Sequence, residues 1–374
     1  MKPEDTREKM FVGTLTFHEA GSYGAVFQSY ALQQALISLG VQTEIINYRC
    51  PAVWQYRATV RNPKRILGRM LCFPWRNKKL KKFDLFRQNV LRCSKQVTDA
   101  EGLRSLCDSY DEVIVGSDQI WNPDLTGGDY TYFLDFLQDN DKKVSYAASI
   151  GVDHWEKDDA RLAELVRSFR YTSVREKSAS EYLDKLAGIK ADVVCDPTFL
   201  IRPDQWMSIV KQNNDSREYI LIYMLGKNYQ DCLKWCKEKL NRDGKYEIIL
   251  VHATRVKGKG CKNVRDAGPE ELLGLIRNAR FVATNSFHGT CLSMIFQKDF
   301  VWFREGAEAT SLKQRESRLK DLLAETGLAE REVNLQSEVP APIDHDRLEA
   351  VISRFRSEGL AWLENALQKD QHGM

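Results

Sequence analysis

The sequence predicts an α/β protein with parallel sheets, arranged as two facing domains. Three observations carry that prediction. Short apolar runs alternate with stretches of helical period along most of the chain, the pattern of strands joined by crossover helices. At 374 residues the chain exceeds what a single hydrophobic core usually serves. A polar stretch, Lys211 to Glu218, interrupts the alternation, which then restarts, as at a hinge or linker. The expected organisation is an N-terminal α/β domain over 1–210, a second over 211–340, and a C-terminal segment over 341–374 whose helix crosses back onto the first domain.

The elements follow in order. Met10 to Phe17 reads as a strand, Ala25 to Leu39 as a helix stopped by Gly40, and Val41 to Tyr48 as the next strand. Glu112 to Val115, Val144 to Ala148, Thr172 to Val174 and Asp192 to Cys195 complete the first sheet. The second half offers strands at Tyr219 to Leu225, Tyr246 to Val251, Phe281 to Ala283 and Phe300 to Phe303. Its helices are expected at Tyr229 to Asn241, Pro269 to Asn278 and Thr290 to Gln297. Asp346 to Leu367 is a long amphipathic helix with Leu348, Ile352, Phe355 and Leu363 available for packing.

Composition narrows the class. With 43% hydrophobic and 29% charged residues the chain reads as a globular protein. No apolar run approaches the roughly 20 residues that span a bilayer, and the opening MKPEDTREKM has no signal-peptide core, so a cytoplasmic location is expected. Nine cysteines, odd in number and scattered, suit a reducing compartment. Cys232 and Cys236 fall one helical turn apart with no second ligand pair, so no metal site is expected. The net charge of +3 is small but unevenly spread. Between Arg57 and Lys82 lie ten Lys and Arg and no acidic residue, interleaved with Ile66, Leu67, Met70, Phe73 and Trp75. This basic segment (57–92) suits an anionic membrane surface, or is a solvated loop and helix. No nucleic-acid-binding signature accompanies it.

Four stretches could carry chemistry. Ser286-Phe287-His288-Gly289-Thr290 follows the Phe281 strand and places a histidine at a helix N-terminus, among unpaired N–H groups that favour an anion; a capping turn is the alternative. Gly21-Ser22-Tyr23-Gly24 lies between a strand and a helix, where ligands gather in parallel sheets, or where a tight turn suffices. Ser117-Asp118-Gln119, with Trp121 just beyond, sets a carboxylate at a strand end, as general base, hydroxyl ligand or helix cap. Arg175, with Lys177 close by, stands at another strand exit, as a bidentate anion ligand or an ion-pair partner of Glu176 or Asp196. His18 precedes the glycine loop and is placed to line the same cleft.

Taken in order, Gly21-Ser22-Tyr23-Gly24-Ala25 with Tyr30-Ala31-Leu32-Gln33, Gly116 to Asn122, Ser145 to Gly151, Ser173 to Lys177, Asp196-Pro197-Thr198 and Ser286 to Thr290 resemble the polysaccharide pyruvyl transferase family, over residues 12–305. The resemblance implies a glycosyltransferase-B-like fold with an acceptor-side first domain and a donor-side second domain. It implies transfer of a pyruvyl group from phosphoenolpyruvate to a sugar, such as galactose with free 4- and 6-hydroxyls, of a bacterial capsular or exopolysaccharide precursor. No cofactor is implied. A polyprenyl-diphosphate-linked glycan would place the enzyme at the inner face of the membrane. His288 and Arg175 would be the donor-binding pair, one from each domain, with Asp118 toward the acceptor. Several family members carry Arg-Leu-His where this chain has Ser286-Phe287-His288, so another basic residue would supply that charge. A nucleotide-sugar-dependent glycosyltransferase on the same scaffold and a non-catalytic assembly component are the alternatives.

Overall fold

The computed structural model describes residues 10–53, 63–152, 154–155, 159–211, 217–226, 229–252, 257–304 and 310–368. The start of the basic segment (57–62), the middle of the polar stretch (212–216) and the chain's first nine residues lie outside the described residues.

The first half contributes β1 (Phe11–Leu15), β2 (Gln42–Ile45), β3 (Glu112–Val115), β4 (Lys143–Ala148), β5 (Tyr171–Val174) and β6 (Asp192–Val193). They form one sheet in the order β2-β1-β3-β4-β5-β6, parallel throughout. The second half contributes β7 (Tyr219–Tyr223), β8 (Glu247–Val251), β9 (Lys262–Val264), β10 (Phe281–Thr284), β11 (Asp299–Phe303) and β12 (Glu332–Val333). These pair, again all parallel, in the order β12-β11-β10-β7-β8-β9. All four residues of β3 and of β10 are buried, which is why Val113 to Val115 and Phe281 to Ala283 read as apolar runs: helices cover both faces. Two facing Rossmann-like units result, as in glycosyltransferase-B-like folds.

In each sheet the chain reverses its direction of travel once, between β1 and β3 in the first and between β7 and β10 in the second. Such reversals open a crevice at the carboxyl ends of the strands, because the two flanking connections leave on opposite faces. The loops after β1, β3, β7 and β10 therefore carry the residues available to a ligand.

Three expectations shift. The helix placed at Thr290 begins at Phe287 and runs to Ile295, because the Ser286 hydroxyl caps it by accepting from the Gly289 N–H at 3.2 Å. The helix expected over Tyr229 to Asn241 is α-helical only over Gln230–Trp235 and widens to a π-helix over Cys236–Leu240. The C-terminal helix, expected from Asp346, begins at His345 and runs to Leu367, because Asp344 caps it by accepting from the Arg347 N–H at 3.0 Å.

One continuous apolar core joins the halves, from Phe27, Ala31 and Leu36 of the helix Tyr23–Ser38 through Leu272, Ile276 and Leu292 to Ile352, Phe355 and Leu363 of the C-terminal helix. That last helix crosses back as expected. Phe355 meets Phe199 edge-on at 5.6 Å, Trp362 donates to Asp192 at 2.8 Å, and Arg170 donates to the Ala366 carbonyl at 2.8 Å. The basic helix Pro63–Asn89 seals another part of the seam. Lys82 reaches the Glu271 carboxylate at 2.6 Å and the Asp266 carbonyl at 2.9 Å, and the Tyr23 hydroxyl donates to the Ala267 carbonyl at 2.7 Å. Lys79 lies 4.1 Å over the Tyr23 ring. Part of the charge that suited a membrane is thus spent on holding the two halves together.

The buried Tyr23 bond predicts a defined cost. Tyr23→Phe leaves the Ala267 carbonyl without its donor, so unfolding free energy should fall by about 1–3 kcal/mol in urea titration. An unchanged midpoint would show that this contact does not hold the seam.

Candidate functional site

The loops at the two reversals face each other across a cavity of about 530 Å³. Phe17, Ser22 and Gly24 line it from the β1 side, Asp118 and Gln119 from β3, Tyr223 and Leu225 from β7, and Asn285, Ser286 and His288 from β10. The helices Tyr23–Ser38 and Phe287–Ile295 both begin at this cavity, so both present the positive end of their dipoles to it. The Asn285 side chain ties the β10 loop to the β7 loop, accepting from the Leu225 N–H at 2.6 Å and donating to its carbonyl at 3.0 Å.

His288 is held on two sides. A methyl group added at Gly24 would stand 2.1 Å from His288 Nδ1, so only glycine lets the first helix approach the imidazole this closely. On the other side His288 Nε2 lies 3.5 Å from Oδ2 of Asp196, a carboxylate with no solvent exposure. The same oxygen accepts from Arg175 Nη1 at 2.7 Å. The second oxygen, Oδ1, accepts from the Thr198 N–H at 3.0 Å and its hydroxyl at 2.8 Å. Burial alone would raise the Asp196 pKa; the charges of His288 and Arg175 outweigh it and hold the carboxyl far below the ordinary range. Asp196 therefore stays ionised and joins a guanidinium of the first half to an imidazole of the second.

Arg175 does not reach into this cavity as expected. Its side chain is buried between Asp196 and Glu176, whose Oε2 lies 3.8 Å from Nε, and its guanidinium sits 4.5 Å from the Phe287 ring. Burial works against its charge, but Asp196, Glu176 and Asp118 keep it firmly protonated. It lines instead a smaller neighbouring cavity of about 340 Å³ against the C-terminal helix, together with Lys177. Lys177 itself points outward and pairs with Glu181 at 3.5 Å.

Asp118 does face the main cavity. It adopts φ 74°, the left-handed region that non-glycine residues seldom occupy, with its carboxylate accepting from the Gln119 N–H at 2.9 Å. Its carbonyl is pinned by the N–H groups of Ile120 and Ser149 at 2.8 and 3.0 Å. Other expected site residues belong to the frame. Trp121 is fully buried, stacked on Phe133 at 5.7 Å. Ser117 is buried, its hydroxyl donating to the Ala147 carbonyl at 2.7 Å and its N–H to Gln28 Oε1 at 2.9 Å. Tyr23 and Gly21 do not line the cavity, and Thr290 is buried in the helix beneath it. Gly289 fills a packing role: a methyl there would meet Thr284 Oγ1 at 2.7 Å and the Tyr223 ring at 2.9 Å. His18 is likewise buried, bonded to the Thr16 carbonyl and Asn47 at 3.1 Å each.

Sequence reasoning missed Asp196 as the hinge of the site, although Asp196-Pro197-Thr198 was a visible signal: an Asp whose side chain accepts two residues on, before a proline that opens a short helical turn. It also missed Arg318, on the helix Thr310–Glu325, which lines the cavity. Among the described residues no group of three His, Cys, Asp or Glu is placed to hold a metal ion.

No curated protein matches the chain. Among solved structures, the UDP-GlcNAc 2-epimerase of Neisseria meningitidis is 9% identical over 98% of this chain and 96% of its own, with a TM-score of 0.48. The glycosyltransferase SnogD of Streptomyces nogalater is 12% identical over 96% and 98%, at 0.42. The UDP-N-acetylglucosamine 2-epimerase of Rickettsia bellii is 11% identical over 96% and 99%, at 0.45. Likeness this distant says nothing of substrate. The family comparison is decisive: the polysaccharide pyruvyl transferase model matches residues 23–306, from the glycine loop past the His288 helix, and the chain belongs to that family.

Proposed function

We propose that this protein transfers the pyruvyl group of phosphoenolpyruvate to a hexose, closing a 4,6-ketal on a sugar such as galactose. The observation that carries this proposal is His288, fixed between Gly24 and the Asp196 carboxylate where the two crevices meet, in a chain of this family. A compact anion bound there would meet two helix N-termini and an imidazole held beside the Asp196 carboxylate.

The chemistry requires four proton movements. A proton is added to the methylene carbon of phosphoenolpyruvate, which makes C2 electrophilic. One sugar hydroxyl bonds to C2 and gives up its proton; the C2–O bond to phosphate then breaks, and phosphate leaves with a proton. The second hydroxyl closes the ring at C2 and loses its own proton. His288 and Asp118 line the cavity from opposite halves and are assigned the acid and base work, because an imidazole and a carboxylate are the side chains there that can pass a proton to or from a bound substrate. Asp196 holds the imidazole in place, and Arg175 balances Asp196 rather than touching the donor.

The acceptor is proposed to be a polyprenyl-diphosphate-linked glycan, met at the inner face of a membrane. On the basic helix, Lys79, Lys82, Phe83 and Phe86 turn inward, whereas Trp75, Lys78 and Lys81 remain exposed and suit anionic headgroups. Among the described residues no helix is long and apolar enough to cross a membrane.

Incubation with phosphoenolpyruvate, a panel of nucleotide sugars and a galactoside should release phosphate and add one ketal-linked pyruvate, read by mass spectrometry; a galactoside left unmodified, or extended by a sugar instead, would reject the proposal. His288→Ala should lower turnover by about 10²–10⁴-fold. A wild-type rate in that folded variant would remove His288 from the chemistry. Flotation with vesicles containing phosphatidylserine should recover the protein at low salt, and Lys78→Glu with Lys81→Glu should abolish recovery. Equal recovery of the variant would separate this helix from any membrane role.

A further inference from the structure

Resting on the pyruvyl-transfer proposal, we propose that Arg318 is the donor-binding guanidinium, gripping the phosphate group of phosphoenolpyruvate at the mouth shared by the two cavities. The main cavity must attract a polyanion, yet among the described residues lining it Arg318 is the sole Arg or Lys. Arg175 lines the smaller cavity instead, between Asp196 at 2.7 Å and Glu176 at 3.8 Å. Position 286, next to the imidazole, carries only a serine, whose hydroxyl is engaged in capping the helix.

Arg318 arrives from outside the segment that the family model covers, on the helix Thr310–Glu325, and lines both cavities. Its guanidinium lies 5.9 Å from the Phe287 ring, on which Arg175 also rests. Phe287 thus keeps the two cations apart while the backbone beside it presents His288. With the Gln119 amide oxygen turned toward it, both Nη atoms of Arg318 donate, at 2.5 and 2.9 Å. That contact orients the guanidinium from the loop that also carries Asp118. A planar, always-charged group so oriented suits bidentate binding of a phosphate. The smaller cavity is lined by five carboxylates, of Asp192, Asp196, Asp321, Glu325 and Glu358, against three cations, whereas the larger has two, Asp118 and Asp124, and is the less acidic of the two.

Calorimetric titration of the wild-type protein, Arg318→Gln and Arg318→Lys, each with phosphoenolpyruvate and with inorganic phosphate, tests the assignment. Arg318→Gln should bind phosphoenolpyruvate about 10- to 100-fold more weakly, with Arg318→Lys between the two. Acceptor KM should stay at the wild-type value, with the fold of each variant intact by circular dichroism. A wild-type protein that binds phosphate but not phosphoenolpyruvate would reject the donor identity, and loss of phosphate binding in Arg318→Gln would then still support the anion role of Arg318. Arg318→Gln binding both anions within twofold of wild type, or wild-type protein binding neither, would overturn it.

Discussion

A buried carboxylate needs compensating charge and hydrogen-bond donors, and Asp196 draws its partners from both halves of the molecule. Arg175 follows β5 in the first sheet, and His288 follows β10 in the second. Two independent α/β units could pack at many relative angles. The need to satisfy Asp196 from both sides, with Thr198 taking the remaining lone pairs, selects one. Removing one partner of such a pair typically costs about 3–5 kcal/mol, because the charge left behind remains buried. The Gly24 approach to His288 sharpens the choice, since the first helix can come that close only at a residue without a side chain.

Topology delivers these groups to one place. Parallel strands present all their carboxyl ends on one edge, and the single reversal in each sheet opens that edge. With the two open edges facing, loops far apart in sequence, at Gly24, Asp118, Tyr223 and His288, line one cavity. The packing beneath them is apolar and continuous, so the polar groups above rest on a rigid floor. The site is thereby divided by role: Asp196, Arg175 and Glu176 form a buried ionic base, while His288, Asp118 and Arg318 meet the cavity.

Much of the frame was legible because buried parallel strands leave unbroken apolar runs; β3 and the helix Pro269–Asn278 have the bounds read from the residues alone. Short edge strands such as β9 and β12 carry too few residues for any period to show. The helix beginning at Phe287 was placed late, since Phe-His-Gly reads as a loop unless the Ser286 cap is counted. In the site, motif spacing located the loops but not the direction of each side chain. Trp121 and Ser117 lie in the right loop yet point into the core, and Arg175 points to its carboxylates. Arg318 belongs to a charged run, Lys313 to Lys320, that no motif marks, and only the fold brings it to the cavity.

The coupling of Asp196 to His288 is the point on which both the domain arrangement and the proposed chemistry turn. A double-mutant cycle of Asp196→Asn and His288→Gln, read as unfolding free energy in urea, measures it directly. Contact across a buried pair predicts an interaction energy of about 0.5–3 kcal/mol, with the double variant less impaired than the sum of the single ones. Effects that simply add, within about 0.3–0.5 kcal/mol, would mean that the two groups do not hold each other and that the halves are joined by the other contacts of the seam.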